Sequence, residues 1–340
     1  MPNFTRRAFT GRASTALLLL GAALALSACG QKPSEPAKTA TAPPSEIKFS
    51  VLSAETQANL GPLWEPVLAD LSKELGIPVK PFFASNYSTL IEAMRFGDVQ
   101  AGWFSALSGL EAVRRAGGEV ATRTADPDGR QSYESVLIVR KGSGITLDKI
   151  LKCDKSLSFG IGDSKSLSGT LAPLTYLFTP RGIDPQSCFK VVRSASHQAN
   201  LFAVANGVLD VSSNNSVGLF FAQRENPATV AKTEVVWTSP SLPESAIILK
   251  SSLDPAIKAK IRTFFLDYHK ATGAEGERRK KIMKDLNWSS FPPADNSYLQ
   301  PVVQMEAGQL LAEAKRGGDP ARIKAAQAAL DAANVPGAHP

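Results

Sequence analysis

The sequence predicts an α/β protein built from two lobes that two strands connect. From about residue 46, segments with the alternation of a strand and segments with the period of a helix follow one another, which favours a mostly parallel sheet. After Gly142-Ser143-Gly144 this succession starts again, and a strand near residues 235–238 leads back to the first unit. A body of residues 46–335 is long enough for two domains of ordinary size.

The first lobe is predicted to begin with a strand at residues 47–52, where apolar and polar residues alternate. A helix at 55–75 follows, because its leucines fall on one stripe and Gly76 ends it. The same patterns predict further strands and helices in this lobe, which are strands at 78–83, 99–104, 120–124 and 135–140, with helices at 88–96 and 108–116.

The second lobe is predicted at residues 141–237, inserted into a first lobe made of residues 46–140 and 238–340. Connecting strands near 136–141 and 235–240 would join the two and allow hinge motion. The inserted segment carries its own alternating elements, which are strands at 156–159, 189–193 and 209–213 and helices at 147–151, 170–178, 199–206 and 217–225. The chain after the second connector is predicted to be helical, at 254–269, 274–286, 296–316 and 320–333.

The N-terminus predicts a lipoprotein, with residues 1–28 as signal peptide and residues 29–45 as a flexible tether rich in Pro, Ala and Thr. An uncharged apolar run, too short for a convincing spanning helix, ends at Leu26-Ser27-Ala28-Cys29. This pattern is typical of lipidation at Cys29. An ordinary signal peptide that is cut elsewhere is the alternative.

The predicted signal peptide places the mature protein in the periplasm or elsewhere in the cell envelope. Thr5-Arg6-Arg7-Ala8-Phe9 is a twin-arginine pattern, whereas the following Thr10-Gly11 departs from the usual Leu-Lys. The sequence therefore leaves both general export and twin-arginine export open.

The charge balance predicts no nucleic-acid partner. The chain has 38 Lys and Arg against 31 Asp and Glu, a formal charge of +7, and three of the arginines lie in the predicted signal peptide. The densest basic run, at 278–281, lies beside Glu275 and Glu277 on a predicted helix, which is typical of a solvated face.

Two cysteines remain in the predicted mature body, and each precedes a predicted strand. Adjacent parallel strands would bring Cys153 and Cys188 together, and export permits their oxidation, so we predict a disulfide. Two separate buried thiols are the alternative. The sequence has no C-x-x-C motif or His-rich cluster, so we predict no metal site and no cofactor.

The segment Gly162-Asp163-Ser164-Lys165-Ser166-Leu167-Ser168-Gly169, called here the Gly/Ser loop, lies between a predicted buried strand and a predicted helix. A helix N-terminus has unpaired N–H donors and a partial positive charge, and serine hydroxyls beside it would complete a pocket for a tetrahedral oxyanion. We predict that the loop binds a small phosphorus oxyanion. A simple turn with a helix cap is the alternative.

Six blocks that follow one another along the chain resemble phosphonate/phosphite ABC-transporter substrate-binding proteins. They are residues 84–104, Tyr133-Glu134-Ser135-Val136-Leu137-Ile138-Val139, the Gly/Ser loop, Ser196-His197-Gln198-Ala199-Asn200, Ala203-Val204-Ala205-Asn206 and Asp210-Val211-Ser212-Ser213-Asn214-Asn215-Ser216. The likeness runs from about residue 47 to about residue 310. It implies a two-lobed type II periplasmic-binding-protein fold.

The resemblance also implies which residues bind the ligand. Matched position by position, the expected ligand-binding residues are Tyr87, Tyr133, Ser166, Leu167, Ser168 and His197, with Asn215 and Ser245 as secondary candidates. All can present hydrogen-bond donors, Leu167 through its backbone N–H, and donors to a charged oxyanion make strong hydrogen bonds.

Three positions depart from the family pattern. Leu167 stands where the family has Thr, and Val217 and Ser245 stand where members that bind an aminoalkyl phosphonate have acidic groups, although Glu244 is adjacent. The hypothesis that follows is a ligand without an amine, such as phosphite, methylphosphonate, hypophosphite or phosphate.

The function implied is that of the binding component of an ABC importer, with a permease and ATPase complex as partners and a lipid anchor in the membrane. A ligand-sensing lipoprotein for a membrane receptor is an alternative. A phosphonate-processing hydrolase that uses Ser166, His197 and Asp163 is disfavoured, because the chain has no G-x-S-x-G elbow at this serine. We therefore predict a protein that is not an enzyme.

Overall fold

The computed structural model describes residues 44–335. The predicted signal peptide, Cys29 and nearly all of the predicted tether lie outside the described residues. Among those described, no helix is both long and apolar enough to span a membrane. The strands in chain order are β1 (Ile47–Ser50), β2 (Val79–Phe82), β3 (Ala101–Phe104), β4 (Gly118–Arg123), β5 (Ser132–Tyr133), β6 (Ser135–Arg140), β7 (Ser158–Ile161), β8 (Val191–Ser194), β9 (Val211–Asn215), β10 (Thr233–Thr238), β11 (Leu242–Pro243) and β12 (Ala246–Lys250).

The helices surround these strands and begin mostly at side-chain caps. In chain order they are α1 (Gln57–Leu75), α2 (Tyr87–Phe96), α3 (Ala106–Ala116), α4 (Leu147–Leu151), α5 (Pro185–Cys188), α6 (His197–Ala205), α7 (Ser216–Glu225), α8 (Pro227–Val230), α9 (Pro255–Asp267), α10 (Gly273–Asp285), α11 (Gln300–Gly317) and α12 (Pro320–Ala333). Between β7 and α5, where one helix was predicted, the chain winds into π-helical turns at Leu167–Leu171 and Leu174–Phe178.

Two five-stranded sheets form the two lobes. The first has the order β2-β1-β3-β12-β4, with β1 parallel to β2 and β3 and with β12 antiparallel to both of its neighbours. The second has the order β10-β6-β9-β7-β8, with β7 parallel to β8 and β9. The predicted two-lobed α/β fold is confirmed, and each sheet is mixed, with parallel and antiparallel pairs of strands.

The chain passes between the lobes at a short two-stranded ladder. In this ladder Tyr133 of β5 is opposite Leu242 of β11. The strand Ser135–Arg140, which was assigned to the first lobe, pairs instead with β9 and β10 in the second sheet. The segment 136–141 is therefore a strand of the second lobe, and the passage between lobes lies a few residues earlier in the chain.

Each lobe has its own apolar core. In the first lobe Trp64, Trp103 and Trp288 pack together, with ring centroids 5.6 Å apart for Trp64 and Trp103 and 5.5 Å apart for Trp103 and Trp288. In the second lobe Phe159 stacks on Phe189 at 4.7 Å. Burial of such aromatic rings is a main source of stability, so each sheet packs on a stable apolar core that holds its loops in place.

A disulfide joins Cys153 and Cys188, whose Cα atoms lie 4.2 Å apart. Both residues precede strands that pair in parallel, β7 and β8. A crosslink across 35 residues stabilises the folded chain by roughly 4 kcal/mol on chain-entropy grounds. It therefore fixes the start of the strand that carries the Gly/Ser loop.

Helix α11 contacts both lobes. Its Glu306 pairs with Arg114 of α3 in the first lobe. Its Gln309 accepts a hydrogen bond from Thr179 at 2.8 Å and donates one to Thr175 at 3.1 Å, and both threonines follow the Gly/Ser loop in the second lobe. The C-terminal helices thus pack on more than the first lobe.

Candidate ligand-binding site

A cavity of about 50 Å³ lies between the two lobes. One buried water needs roughly 10–15 Å³ by a similar measure, so the cavity is large enough for a small polyatomic ion. Polar residues of both lobes line it, namely Glu55, Tyr87, Ser105, Tyr133, Ser166, Ser168, His197, Asn215, Glu244 and Ser245. Of the predicted ligand-binding residues, only Leu167 is not among the lining residues that the structure describes.

The Gly/Ser loop is closed by contact between two backbones. The N–H of Gly162 donates to the carbonyl of Gly169 at 2.8 Å. A Cβ at Gly162 would lie 2.5 Å from the Cα of Gly169, so no larger residue fits there without moving the loop. The sequence places glycine at these two positions because the chain must pass close to itself.

Serines of neighbouring strands hold the loop carbonyls. The hydroxyl of Ser135 donates to Ser168 O at 2.6 Å, and that of Ser213 donates to Gly169 O at 2.6 Å. The hydroxyl of Ser194 donates to Gly162 O at 2.8 Å. These bonds hold the loop in place, and the side chains of Ser166 and Ser168 line the cavity.

Ser166 is the cap of the first π-helical turn. Its Oγ accepts a hydrogen bond from Gly169 N at 3.0 Å, and its carbonyl accepts one from Leu171 N at 3.2 Å. The N–H groups of Leu167 and Ser168 lie in the first turn, where a helix offers no internal acceptor. Together with the helix dipole, these groups make a site suited to an anion.

The side chain of Leu167 packs away from the cavity. It is fully buried in the apolar cluster of the first lobe, together with Leu171 and Ala172. This turn lies against α3 and α11. The predicted ligand contact at Leu167 can therefore come only from its backbone.

His197 begins α6 and lies over the Gly/Ser loop. Its Nε2 is 3.3 Å from Ser166 Oγ and 3.5 Å from Ser168 Oγ. Burial lowers the pKa of His197 to about 4, so its imidazole is neutral at neutral pH. Within residues 44–335 its buried Nδ1 has no hydrogen-bond partner.

Two tyrosines complete the donor set. Tyr87 is the first residue of α2 and is 3% exposed, and Tyr133 lies in the ladder between the lobes. Burial raises the pKa of both phenols, so both remain protonated and able to donate. The cavity thus has one phenol from the first lobe and one from the passage between lobes.

Direct bonds join the lobes beside the cavity. The carboxylate of Asp163, in the Gly/Ser loop, accepts from the backbone N–H of Tyr87 at 3.1 Å. Lys165, two residues later, forms an ion pair with Glu111 of α3 at 3.2 Å. The Gly/Ser loop therefore faces the cavity and also contacts the opposite lobe, so the lobes are closed on each other.

The two secondary candidates line the cavity but already have partners. Asn215 caps α7 and accepts from Gly218 N at 2.7 Å. The Oγ of Ser245 accepts from the indole N–H of Trp103 at 2.6 Å. Val217 lines the cavity as well, so neither Val217 nor Ser245 brings an acidic side chain to the wall.

Two acidic residues of the wall, Glu55 and Glu244, are not among the site residues that the sequence predicts. Glu244 is 4% exposed and accepts from Ser245 N at 2.9 Å and Thr124 Oγ1 at 3.1 Å. Burial raises the pKa of Glu244, and burial also raises the pKa of Glu55 to about 7. Glu244 is adjacent to a matched position, whereas nothing in the local sequence marks Glu55.

The arrangement does not form a hydrolytic triad. Asp163 accepts from Tyr87 N and from Lys165 N, while the contacts of His197 are to the two serines and not to a carboxylate. A nucleophilic serine needs a histidine oriented by a third group. Among the described residues, no group of three or more His, Cys, Asp or Glu side chains could hold a metal ion.

A donor-lined cavity between two α/β lobes is typical of solute-binding proteins. The family model for "ABC transporter, phosphonate, periplasmic substrate-binding protein" matches residues 49–299. The chain belongs to this family. It is thus a substrate-binding component of an ABC transporter and not an enzyme.

Individual relatives agree with this assignment. The chain is 38% identical over 260 residues to the phosphonates-binding periplasmic protein of Escherichia coli K12, covering 76% of this chain and 75% of that protein. It is 28% identical over 203 residues to a probable ABC transporter phosphite binding protein, PhnD1, of Prochlorococcus marinus, covering 58% of this chain and 67% of that one.

Solved structures give the same fold. A binding protein component of an ABC phosphonate transporter from Pseudomonas aeruginosa has a TM-score of 0.80 and 35% identity, covering 85% of this chain and 96% of that one. Prochlorococcus marinus PhnD1 in complex with methylphosphonate has a TM-score of 0.68 and 22% identity, covering 78% and 98%. Because its sequence identity is only 22%, the similarity to the Prochlorococcus marinus structure supports the fold and nothing further.

Proposed function

We propose that this protein captures a small phosphorus oxyanion between its closing lobes and delivers it to the permease and ATPase of an ABC importer. One observation carries the proposal. Neutral donors from both sides of the cleft converge on one cavity at a capped helical turn, and they are Tyr87, Tyr133, Ser166, Ser168 and His197, with the backbone N–H groups of Leu167 and Ser168. The relatives named for phosphonate and phosphite binding support this choice of ligand.

The ligand proposed is one without an amine, such as phosphite or methylphosphonate. Val217 and Ser245 support this, because both line the cavity at the positions where amine-binding members have acidic groups. The hydroxyl of Ser245 is engaged by Trp103. Leu52, Leu60 and Phe221 also line the cavity and suit a P–H or P–CH₃ group better than a charged substituent.

Three further parts of the proposal concern the whole chain. Cys29 is lipidated and holds the protein at the membrane, with residues 29–45 as tether. The lobes divide near residues 131–134 and 239–245, where the chain passes between the sheets. The permease then receives ligand when the lobes open.

Calorimetric titration with phosphite, methylphosphonate, phosphate and 2-aminoethylphosphonate tests the ligand class. We expect the wild type to bind at least one of the first three more tightly than the last. Ser166→Ala removes a hydroxyl beside the anion, and hydrogen bonds to charged groups contribute about 1.5–3 kcal/mol, so affinity should fall roughly 10- to 100-fold.

Ser164→Ala is the matched control, because Ser164 lies in the same loop but is exposed. It should bind as the wild type does. Equal loss in the two variants, or tightest binding to 2-aminoethylphosphonate, would contradict the proposal. A melting curve for each variant separates loss of binding from loss of folding.

A further inference from the structure

The cavity that we assign to an oxyanion has an unusual charge balance. Its donors are neutral, since the two phenols stay protonated and His197 carries no charge at neutral pH. Among the described residues that line it, none is Lys or Arg, whereas two are glutamates, Glu55 and Glu244. An anion in this cavity is therefore held by dipoles, with acidic groups in the wall.

Glu55 lies between β1 and α1, on the first-lobe side of the cavity, and is partly buried. Its Oε2 accepts a hydrogen bond from Asn59 of α1 at 3.3 Å. The other ionisable groups that act on it are Glu225 of α7 across the cleft and Tyr87 of α2. No lysine or arginine is among these facing groups, so its carboxylate has no positive partner there.

Glu244 lies between the ladder strand β11 and β12, and its carboxyl is buried against Thr124 and Ser245. Asp126 is the acidic group that acts on it, and Tyr133 and Tyr298 are the phenols nearby. Burial disfavours its charged form. A negatively charged group of a ligand beside either glutamate is therefore unfavourable. A proton between the glutamate carboxyl and the ligand is favourable.

A singly charged and a doubly charged ligand interact differently with acidic groups in such a wall. A monoanion such as hydrogen phosphite or hydrogen methylphosphonate keeps one P–OH, which can donate to a carboxylate. A dianion has lost that proton, and wherever one of these glutamates is ionised the dianion meets a carboxylate in a site of low dielectric, where repulsion is weakly screened. Sulfate, of similar shape, has no proton to offer at neutral pH.

We propose that Glu55 and Glu244 make the cleft selective for charge state, so that it admits phosphorus oxyanions with one negative charge and a P–OH group and rejects dianions. The proposal rests on the oxyanion-binding function proposed above and adds the protonation state of the ligand. The step is one of binding only, with the P–OH proton shared with a carboxylate or a proton taken up from solvent.

The test is the dissociation constant for methylphosphonate between pH 6 and pH 8.5, measured for the wild type and for Glu55→Gln. Glu55 has a pKa of about 7, so its carboxylate accumulates over this range. Methylphosphonate loses its own second proton over the same range in both experiments, so wild-type affinity should fall and the difference from Glu55→Gln isolates the part due to Glu55. Glu55→Gln stays neutral, and its affinity at pH 8.5 should exceed that of the wild type by about tenfold, the equivalent of one pKa unit. At pH 6 the two should agree within about twofold.

Glu74→Gln is the matched control, because Glu74 lies on the same helix, α1, and is exposed. It should follow the wild-type pH profile. A second measurement counts protons by comparing binding enthalpies in two buffers of different ionisation enthalpy at pH 8. The wild type should take up protons on binding methylphosphonate, and Glu55→Gln should take up fewer. Glu244→Gln repeats the comparison should Glu55→Gln fold poorly by circular dichroism.

Three outcomes would overturn the proposal. They are identical pH profiles for Glu55→Gln and the wild type, sulfate binding as tight as that of methylphosphonate, and a Glu55→Gln effect confined to 2-aminoethylphosphonate, which would make Glu55 a partner of an ammonium group. Failure of the wild type to bind any phosphorus oxyanion at any pH is a different result. It would contradict the proposed function itself.

Discussion

At the scale of single residues, the cavity is lined by hydrogen-bond donors that carry no net charge. His197 contacts two serines and no carboxylate, and burial keeps it neutral. Glycine at 162 is required for a different reason, since even one Cβ would overlap Gly169. The site thus relies on placement and burial and not on a fixed positive charge.

The neutral His197 predicts how stability varies with pH. Its pKa is about 4 in the folded protein and about 6.5 when unfolded, so the unfolded chain binds the proton more tightly. The contribution of neutral His197 to the free energy of unfolding is fully present above pH 6.5. It is lost as the pH falls toward 4, by roughly 3 kcal/mol in total. Urea unfolding of the ligand-free protein at pH 7 and pH 4.5 measures it.

His197→Gln should remove most of this pH dependence while keeping a polar side chain of similar reach. His269→Gln is the control, because His269 is exposed on the first lobe and carries no ligand role. If the wild type and His197→Gln lost the same free energy of unfolding between pH 7 and pH 4.5, neutral burial of His197 would be wrong.

At the scale of elements, the Gly/Ser loop and helix α2 are joined directly. The Asp163 carboxylate accepts from the first N–H of α2 and so neutralises part of the positive end of that helix. The turn at Ser166 then remains as the main backbone donor site at the cavity. The bond links closure of the lobes to the same loop that we propose binds the ligand.

Asp163→Asn should weaken this link. The carboxylate accepts from Tyr87 N with one oxygen and from Lys165 N with the other, whereas the neutral amide has a single acceptor oxygen, and charge-assisted bonds are about twice as strong as neutral ones. We expect affinity for phosphite or methylphosphonate to fall about three- to tenfold by calorimetry. Asp148→Asn, at an exposed residue of α4, is the control and should bind normally. An unchanged affinity in Asp163→Asn would show that the bond does not support closure.

At the scale of the whole molecule, the sequence could predict most of the architecture. Hydrophobic alternation and helical period are local, so most strands and most helices were predictable, whereas strand β12 (Ala246–Lys250) was missed in a part of the chain predicted to be helical. The strand Ser135–Arg140 was placed in the wrong lobe because its partner β10 lies about 100 residues later, and local sequence does not encode such a pairing. The Gly/Ser loop was visible locally, whereas Tyr87 and Tyr133 needed the family resemblance.

The position of Glu55 in the cavity wall could not be predicted from the sequence. It stands before an ordinary amphipathic helix, and only the packing of the two lobes brings it to the cavity wall. Its altered pKa arises from burial, which is a property of the fold and not of neighbouring residues in the chain.

The burial of Leu167 predicts how the enthalpy of ligand binding varies with temperature. The residue belongs to the second lobe by position but is buried in the apolar cluster of the first, so opening the lobes returns apolar surface to water. Burial of apolar surface lowers the heat capacity. The enthalpy of ligand binding should therefore become more negative as temperature rises from 10 to 35 °C. In Leu167→Thr, which keeps the backbone N–H, this slope should be shallower, and an equal slope in the two proteins would mean that binding does not bring these apolar surfaces together.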